Sequence, residues 1–411
     1  MASFSFGAGN AHKLARIPLF FLGRLITFAV PRRRGAWVFG CGVGIADGTL
    51  ALWQAAARPG AVWLTGSARE RADAAARGIP SLPKHSLCGF WATARASVVV
   101  VTHGFGDVNR YAVGGAFVVQ LWHGIPLKRI GLDSPATVRA PGALRHVPGL
   151  SRLIAMLYRG AAHRIDLLPA ASHLVRGRFE SAFGLPDERV AVTGEPRVDV
   201  LSQGEPEARR AAARTAVEAH TGPVGEARLW LYAPTWRDGA PDPAVPTSAQ
   251  WRALVDVLAA QDAILLVRSH PLGAGDYALP FATDRVRLLG SDLLPDVTPV
   301  LPGLDTLITD YSSLAFDAGL VPLPVVYLAP DVDDYACTRG FYGRYADVAG
   351  PDPAADWDEA CTQLAALADP TARAERVARS RALSARVHRF DDGHNTARVH
   401  RAILDRSGGG A

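Results

Sequence analysis

Apolar residues fall in short continuous runs along most of this chain, each followed by a longer stretch of mixed polarity. Ala36-Trp37-Val38-Phe39, Ala61-Val62-Trp63-Leu64, Ser97-Val98-Val99-Val100-Val101 and Ala116-Phe117-Val118-Val119-Gln120-Leu121-Trp122 form a first series. Such runs, rich in β-branched and aromatic side chains, predict strands buried on both faces. The stretches Thr49 to Ala57 and Ser67 to Arg77 predict helices between them. A second series follows Val198-Asp199-Val200-Leu201 and an Ala/Arg-rich helical stretch over 206–219. Its strands are Leu229 to Ala233, Ala263 to Arg268, Val286 to Leu289, Thr306 to Thr309 and Val325 to Leu328. Strands that alternate with helices predict an α/β fold with parallel sheets covered on both faces, here in two doubly wound Rossmann-like domains facing across a cleft.

A length of 411 residues agrees with two domains. With 49% hydrophobic and 20% charged residues, the chain is globular, neither disordered nor fibrous. Cys41, Cys88, Cys337 and Cys361 stand singly, with no zinc-ligand spacing and no disulfide framework, which suits a reducing cytoplasm. Oligomeric state leaves no mark in the sequence.

The net charge of +5 is unevenly distributed. Residues 1–46 hold Lys13, Arg16, Arg24, Arg32, Arg33 and Arg34 without an acid, and residues 137–164 hold Arg139, Arg145, Arg152, Arg159 and Arg164 without an acid. The rest of the chain is net acidic, so the charge describes two docking patches and no nucleic-acid surface. Ile17 to Val30 is too short, and too interrupted by Arg24, to cross a ~30 Å hydrocarbon layer, and reads as an interfacial segment. A signal peptide competes with that reading, but no small-residue cleavage site follows Val30. In the second patch Leu150, Leu153, Ile154, Leu157 and Tyr158 recur at helical spacing, either against an anionic membrane surface or packed on the protein itself.

Candidate chemistry sits where strands end. In Thr309-Asp310-Tyr311-Ser312-Ser313 a buried strand gives way to a cluster able to open a helix, whose free N–H groups, with the Ser312 and Ser313 hydroxyls, suit an anion such as a diphosphate. A plain helix cap is the alternative. His123, in Trp122-His123-Gly124-Ile125-Pro126-Leu127-Lys128, follows an apolar strand in a turn forced by Gly124 and Pro126, where an imidazole can take a hydroxyl proton. Lys128 is placed for a phosphate, and a hydrogen-bonded structural histidine is the other reading of His123. Tyr232-Ala233-Pro234-Thr235-Trp236-Arg237 and Arg268-Ser269-His270-Pro271 repeat one design, a strand closed by cationic side chains and proline. Gly40-Cys41-Gly42-Val43-Gly44 lacks the dinucleotide spacing and acidic partner of an NAD site. Asp331, Asp333 and Asp334 lack the further ligands a metal needs, so they read as solvated and no metal is assigned.

Together with Gly194-Glu195-Pro196-Arg197-Val198-Asp199, Phe316-Asp317 and Arg339-Gly340-Phe341-Tyr342, these pieces resemble, in order, the CDP-glycerol glycerophosphotransferase family of teichoic-acid and capsular polyol-phosphate primases and polymerases. The resemblance implies a GT-B type fold and transfer of a polyol phosphate from CDP-glycerol or CDP-ribitol to a hydroxyl of a lipid-linked or glycan acceptor, with release of CMP. No cofactor or metal is implied, and the expected location is peripheral, on the cytoplasmic face of the cell membrane. His123 and His270 inherit catalytic roles. Thr235, Arg237, Arg268, Asp310, Ser312 and Ser313 inherit donor binding, and Lys128, Arg197 and Asp47 acceptor or phosphate contacts. The implied division is a basic membrane-associating leader (1–35), an acceptor domain (36–203) with the basic insertion 137–164, a CDP-polyol donor domain (204–385) and a C-terminal helix and tail (386–411). Ile125 and Val198 depart from the Thr and Asn common in the family, which bears on the polyol or acceptor. Two other functions fit the same architecture: a nucleotide-sugar glycosyltransferase and a membrane-docked, non-catalytic nucleotide-binding protein.

Overall fold

The computed structural model describes residues 17–56, 59–139, 146–235, 237, 241–269 and 277–408. The chain divides into two compact units: one holds residues up to Gly124, Arg129–Asp199 and Asp392 onward, the other Ile125–Lys128 and Val200–Asp391.

In the first unit five parallel strands, β1 (Arg33–Gly40), β2 (Val62–Thr65), β3 (Ser81–Pro83), β4 (Ala96–Val101) and β5 (Phe117–Gln120), lie in the order β3-β2-β1-β4-β5. Beyond β5, Gln120 N donates to Leu167 O at 2.9 Å, leading into the parallel pair β6 (Leu168–Ala170) and β7 (Val190–Val192). Phe39, Val99, Val100 and Val119 are wholly buried in this sheet, as the continuous apolar runs require. The strand order reverses between β1 and β4, and a crevice at their carboxyl ends is where such sheets bind ligands. The Gly40–Gly44 loop leaves β1 there, and Thr102-His103 leaves β4.

The second unit repeats the design with β8 (Arg228–Ala233), β9 (Ala263–Val267), β10 (Val286–Leu288), β11 (Thr306–Thr309) and β12 (Val325–Tyr327), in the order β10-β9-β8-β11-β12. All pairings are parallel. Its core is built on Trp230, Tyr232, Trp251, Leu254 and Trp357. Here the reversal falls between β8 and β11, where Thr309 pairs with Ala233. Asp310 follows immediately. Two doubly wound units of the GT-B type, α/β with parallel sheets, are the fold.

The last helix, Asn395–Arg406, returns to the first unit. Val399 and Ile403 enter its core, and the Asp199 carboxylate accepts from Asn395 N at 3.0 Å and Thr396 N at 2.7 Å, capping that helix. Gly194 takes φ +79° and lies under the Asn395 amide, where an added Cβ would be 2.0 Å from Oδ1.

The apolar leader is a helix, Ile17–Ala29, with an inverted pattern. Small residues face the protein: a Cβ on Gly23 would meet Tyr111 O at 2.3 Å, and Thr27 is buried. Phe21, Leu25 and Phe28 are 72, 67 and 91% exposed. Arg32 is no part of a docking patch, because its guanidinium donates to Thr93 O (2.7 Å), Ala96 O (3.0 Å), Ala112 O and Gly114 O. The second patch packs on the protein itself along part of its apolar stripe. Helix Leu150–Ala162 buries Ile154 and Tyr158 and leaves Leu153, Met156 and Leu157 exposed. No helix among the described residues is long and apolar enough to cross a membrane.

Candidate active site

The candidate residues form two groups, one in each unit. In the second unit the focus is Asp310, 3% exposed at the end of β11. Its carboxylate accepts from Thr235 N at 2.8 Å, from Tyr311 N, and from Arg237 Nη1 at 2.9 Å. The Arg237 guanidinium also forks onto Asp331, with Nε and Nη2 each 2.8 Å from a carboxylate oxygen. It lies 4.9 Å from the Tyr311 ring centroid and 5.0 Å from that of Tyr335. Tyr311 Oη donates to Asp331 at 2.9 Å, and Tyr345 Oη to Asp310 O at 3.1 Å. Burial alone would discharge Arg237, but its bonds to Asp331 and Asp310 outweigh that and raise its pKa. Burial likewise disfavours the Asp331 carboxylate, yet Arg237 leaves its pKa below the ordinary value. Asp331 is therefore no solvated acid. It anchors the arginine, while Asp333 and Asp334 stay exposed.

Lys128 joins this group through backbone pairing. It forms an antiparallel bridge with Phe341, and Tyr342 N donates to Leu127 O at 3.0 Å, so two motifs far apart in sequence become one structure. Burial lowers the Lys128 pKa to about 8; Asp310 opposes the shift, and Arg339 and Arg237 add to it. Sequence reasoning gave Arg339 no role, although its motif was visible.

The remaining donor candidates differ in their commitments. Ser312 and Ser313 are half-buried, and Ser312 Oγ accepts from Leu314 N at 3.3 Å. The helix they precede is one turn, Leu314–Asp317, so its dipole is small, and the expected strong anion-binding end is reduced to local N–H and hydroxyl donors. Thr235 Oγ1 is buried with no hydrogen-bond partner among the described residues. Arg268 donates to Leu294 O (2.6 Å) and Pro295 O (3.0 Å), bracing a loop. His270 and Trp236 lie outside the described residues. Asp317 is fully buried 3.4 Å from His388 Nε2, facing the interior.

In the first unit Trp122 takes φ +64°, a left-handed conformation costing a bulky residue ~1–2 kcal/mol. Packing offsets it: the indole is 8% exposed and lies 6.1 and 5.2 Å from the rings of Phe179 and Phe183. The twist turns the chain into His123, half-buried, whose ring centroid lies 4.3 Å from Trp122. A second imidazole, His103, stacks on it at 4.4 Å and 9°. Asp47, at φ +62°, opens helix Asp47–Ala56 and accepts from Gly48 N at 2.6 Å. Arg197 is 8% exposed and paired with buried Glu195 at 2.9 Å, which gives it a structural task in the segment that ends at the Asp199 cap. The two departures from the family pattern are also interior: Ile125 and Val198 are 0 and 1% exposed, so they bear on packing. Among the described residues no three His, Cys, Asp or Glu side chains are grouped to hold a metal ion.

Known proteins share both the sequence and the fold. The teichoic acid poly(glycerol phosphate) polymerase of Staphylococcus epidermidis is 31% identical over 238 residues, 57% of this chain and 31% of the polymerase. The teichoic acid glycerol-phosphate transferase of Staphylococcus aureus is 28% identical over 284 residues, 66% of this chain and 68% of the transferase. The match thus spans less than a third of the polymerase and about two thirds of the transferase. A solved structure of the wall teichoic acid polymerase TagF with CDPG has a TM-score of 0.76 at 20% identity, covering 97% of this chain and 95% of that one. That likeness establishes the fold. The family model described as CDP-Glycerol:Poly(glycerophosphate) glycerophosphotransferase matches residues 50–405, a span holding all the motifs from Trp122 to Tyr342, and the chain belongs to that family.

Proposed function

We propose that the protein transfers a polyol phosphate from a CDP-activated donor, CDP-glycerol or CDP-ribitol, to a hydroxyl of a lipid-linked or glycan acceptor. The observation that carries this reading is the family match across residues 50–405, which takes in the strand-end groups of both units. The acceptor oxygen attacks the polyol-bearing β-phosphorus, its proton passes to His123, and the bond from that phosphorus to the bridging oxygen breaks, releasing CMP. Such chemistry needs placement and charge neutralisation more than covalent help. Lys128 supplies positive charge, Ser312, Ser313 and Thr235 supply hydroxyls, and Asp310 with Arg237 holds the loops that carry them. No metal is invoked.

Product analysis after incubation with CDP-glycerol, CDP-ribitol and UDP-sugars tests the assignment. CMP release with a polyol phosphate added to the acceptor is the expected result, and UDP release with a transferred sugar defeats it. The same assay carries a pH signature. A bound phosphate stabilises the Lys128 ammonium and raises its pKa from about 8, so binding takes up a proton above that pH. The donor KM is therefore expected to stay flat below pH 8 and to rise above it. Lys128→Met should raise KM and abolish the inflection.

The partner surface in this reading is an anionic membrane at its cytoplasmic face. Support comes from helix Ile17–Ala29, which turns Phe21, Leu25 and Phe28 to solvent beside exposed Arg24, Arg33 and Arg34. Apolar insertion combined with ~1 kcal/mol per basic residue suits an anionic interface. Co-sedimentation with phosphatidylglycerol vesicles should fall at least tenfold in Phe21→Glu/Phe28→Glu, with turnover on a soluble acceptor retained. Equal sedimentation of wild type and variant would remove the helix from the interface.

A further inference from the structure

The Gly40–Gly44 loop is not built like a dinucleotide site, yet it occupies the reversal point of the first sheet, and one of its glycines has a steric task. A Cβ on Gly42 would lie 2.8 Å from His103 Cγ, 2.9 Å from its Cβ and 3.0 Å from its Nδ1. The His103 ring is thus seated on the bare backbone of Gly42. It also stacks on the His123 ring, at 4.4 Å and 9° from parallel.

The segment that presents His103 is fixed from several directions. Asp107 Oδ2 accepts from Thr102 N at 2.9 Å and from His103 N at 2.7 Å. Gln120 Nε2 donates to Thr102 O at 2.5 Å, and the Thr49 and Thr102 hydroxyls are hydrogen-bonded to each other. Gly104, at φ +122°, allows the bend that brings Asp107 back, and a Cβ on Gly40 would meet Asp107 O at 2.4 Å. The sequence thus reserves Gly40 and Gly42 for the elements that hold one imidazole against another.

We propose that His103, seated on Gly42, is a positioning residue for His123: its ring fixes the plane of the His123 imidazole and offers an uncharged π-face to the imidazolium formed when the acceptor proton arrives. The inference rests on the reading of His123 as the base. Two stacked imidazoles of equal basicity would compete for that proton. Burial lowers the His103 pKa to about 4, so that ring stays neutral near neutral pH, and its Nδ1 is enclosed without a hydrogen-bond partner among the described residues. A neutral ring over a nascent cation is attractive, and a fixed ring plane preserves the near-attack geometry.

The test compares His103→Phe, which keeps a flat π-face, with His103→Leu, which keeps bulk without one, beside Gly42→Ala, Gly42→Ala/His103→Leu and His123→Ala. Steady-state kinetics of the full chain with CDP-glycerol are read together with the imidazole NMR signals of His123. Expected is kcat within about threefold of wild type for His103→Phe, and about tenfold lower for His103→Leu and Gly42→Ala, with donor KM unchanged in all three. The double variant should be no worse than His103→Leu, because both changes disturb one contact. The His123 ring signals should shift in His103→Leu and Gly42→Ala. Wild-type kcat in His103→Leu beside an inactive His123→Ala overturns this inference alone, as do losses that multiply in the double variant. An active His123→Ala overturns the base assignment and this inference with it.

Discussion

Replacing His123 by Ala is expected to lower turnover by ~10²–10⁴-fold, the usual contribution of a general base, while leaving CDP-donor affinity within about threefold. The split follows from where the residue sits. His123 belongs to the first unit, at the end of β5, whereas the candidate phosphate contacts Lys128, Ser312 and Ser313 belong to the second. On the proposed assignment, removing the imidazole takes away the proton acceptor while the candidate phosphate contacts stay in place, so kcat should fall and KM should hold. Steady-state kinetics with direct donor titration measures both. Unchanged turnover removes His123 from the mechanism, and a matching loss of donor affinity assigns it to binding.

Arg237→Met is expected to destabilise the second unit by ~3–5 kcal/mol, the range found when one partner of a buried ion pair is removed. Asp310 and Asp331 would keep their carboxylates but lose the fork that satisfies them, and Tyr311 and Tyr335 would lose the cation beside their rings. In calorimetry this amounts to a fall of about 10 °C in Tm for a unit of this size. Arg237→Lys should recover only part, because an ammonium cannot reach two carboxylates in one plane. Adding Asp310→Asn and Asp331→Asn to Arg237→Met should restore stability by removing the stranded charges. A Tm within about 2 °C of wild type in Arg237→Met would show that the network contributes little.

Nine of the ten strands of the two five-stranded sheets are legible, all but the start of β1 to within a residue or two, because a parallel strand covered on both faces needs an unbroken apolar run, and Ser97–Val101 or Thr306–Thr309 can be little else. The strands Ser81–Pro83, Leu168–Ala170 and Val190–Val192 escape that reading: three residues, with a proline in two of them, give no period to detect. Strand-end positions locate the candidate chemistry for the same reason, since a polar cluster after an apolar run has to emerge at a sheet edge. Direction is what the sequence withholds. Arg197 and Arg237 look alike as cationic ends of motifs, yet Glu195 takes the first and Asp310 with Asp331 the second, through partners up to 94 residues away. His103 has the same signature as His123, a polar residue just past a valine run. Only its stacking and its seat on Gly42 give it a role.

The Asp199 cap on helix Asn395–Arg406 also sets an order of events during synthesis. The carboxylate leaves the ribosome some 196 residues before the N–H groups it must accept from, with all of the second unit except Ile125–Lys128 made in between. Residues 200–391 can therefore close their own core cotranslationally, while the first unit waits for its final helix with Val399 and Ile403 missing from its interior. The nascent chain thus holds the complete sheet of the first unit without the helix that packs on it, and chaperone demand should centre on that unit until residues 395–406 are made.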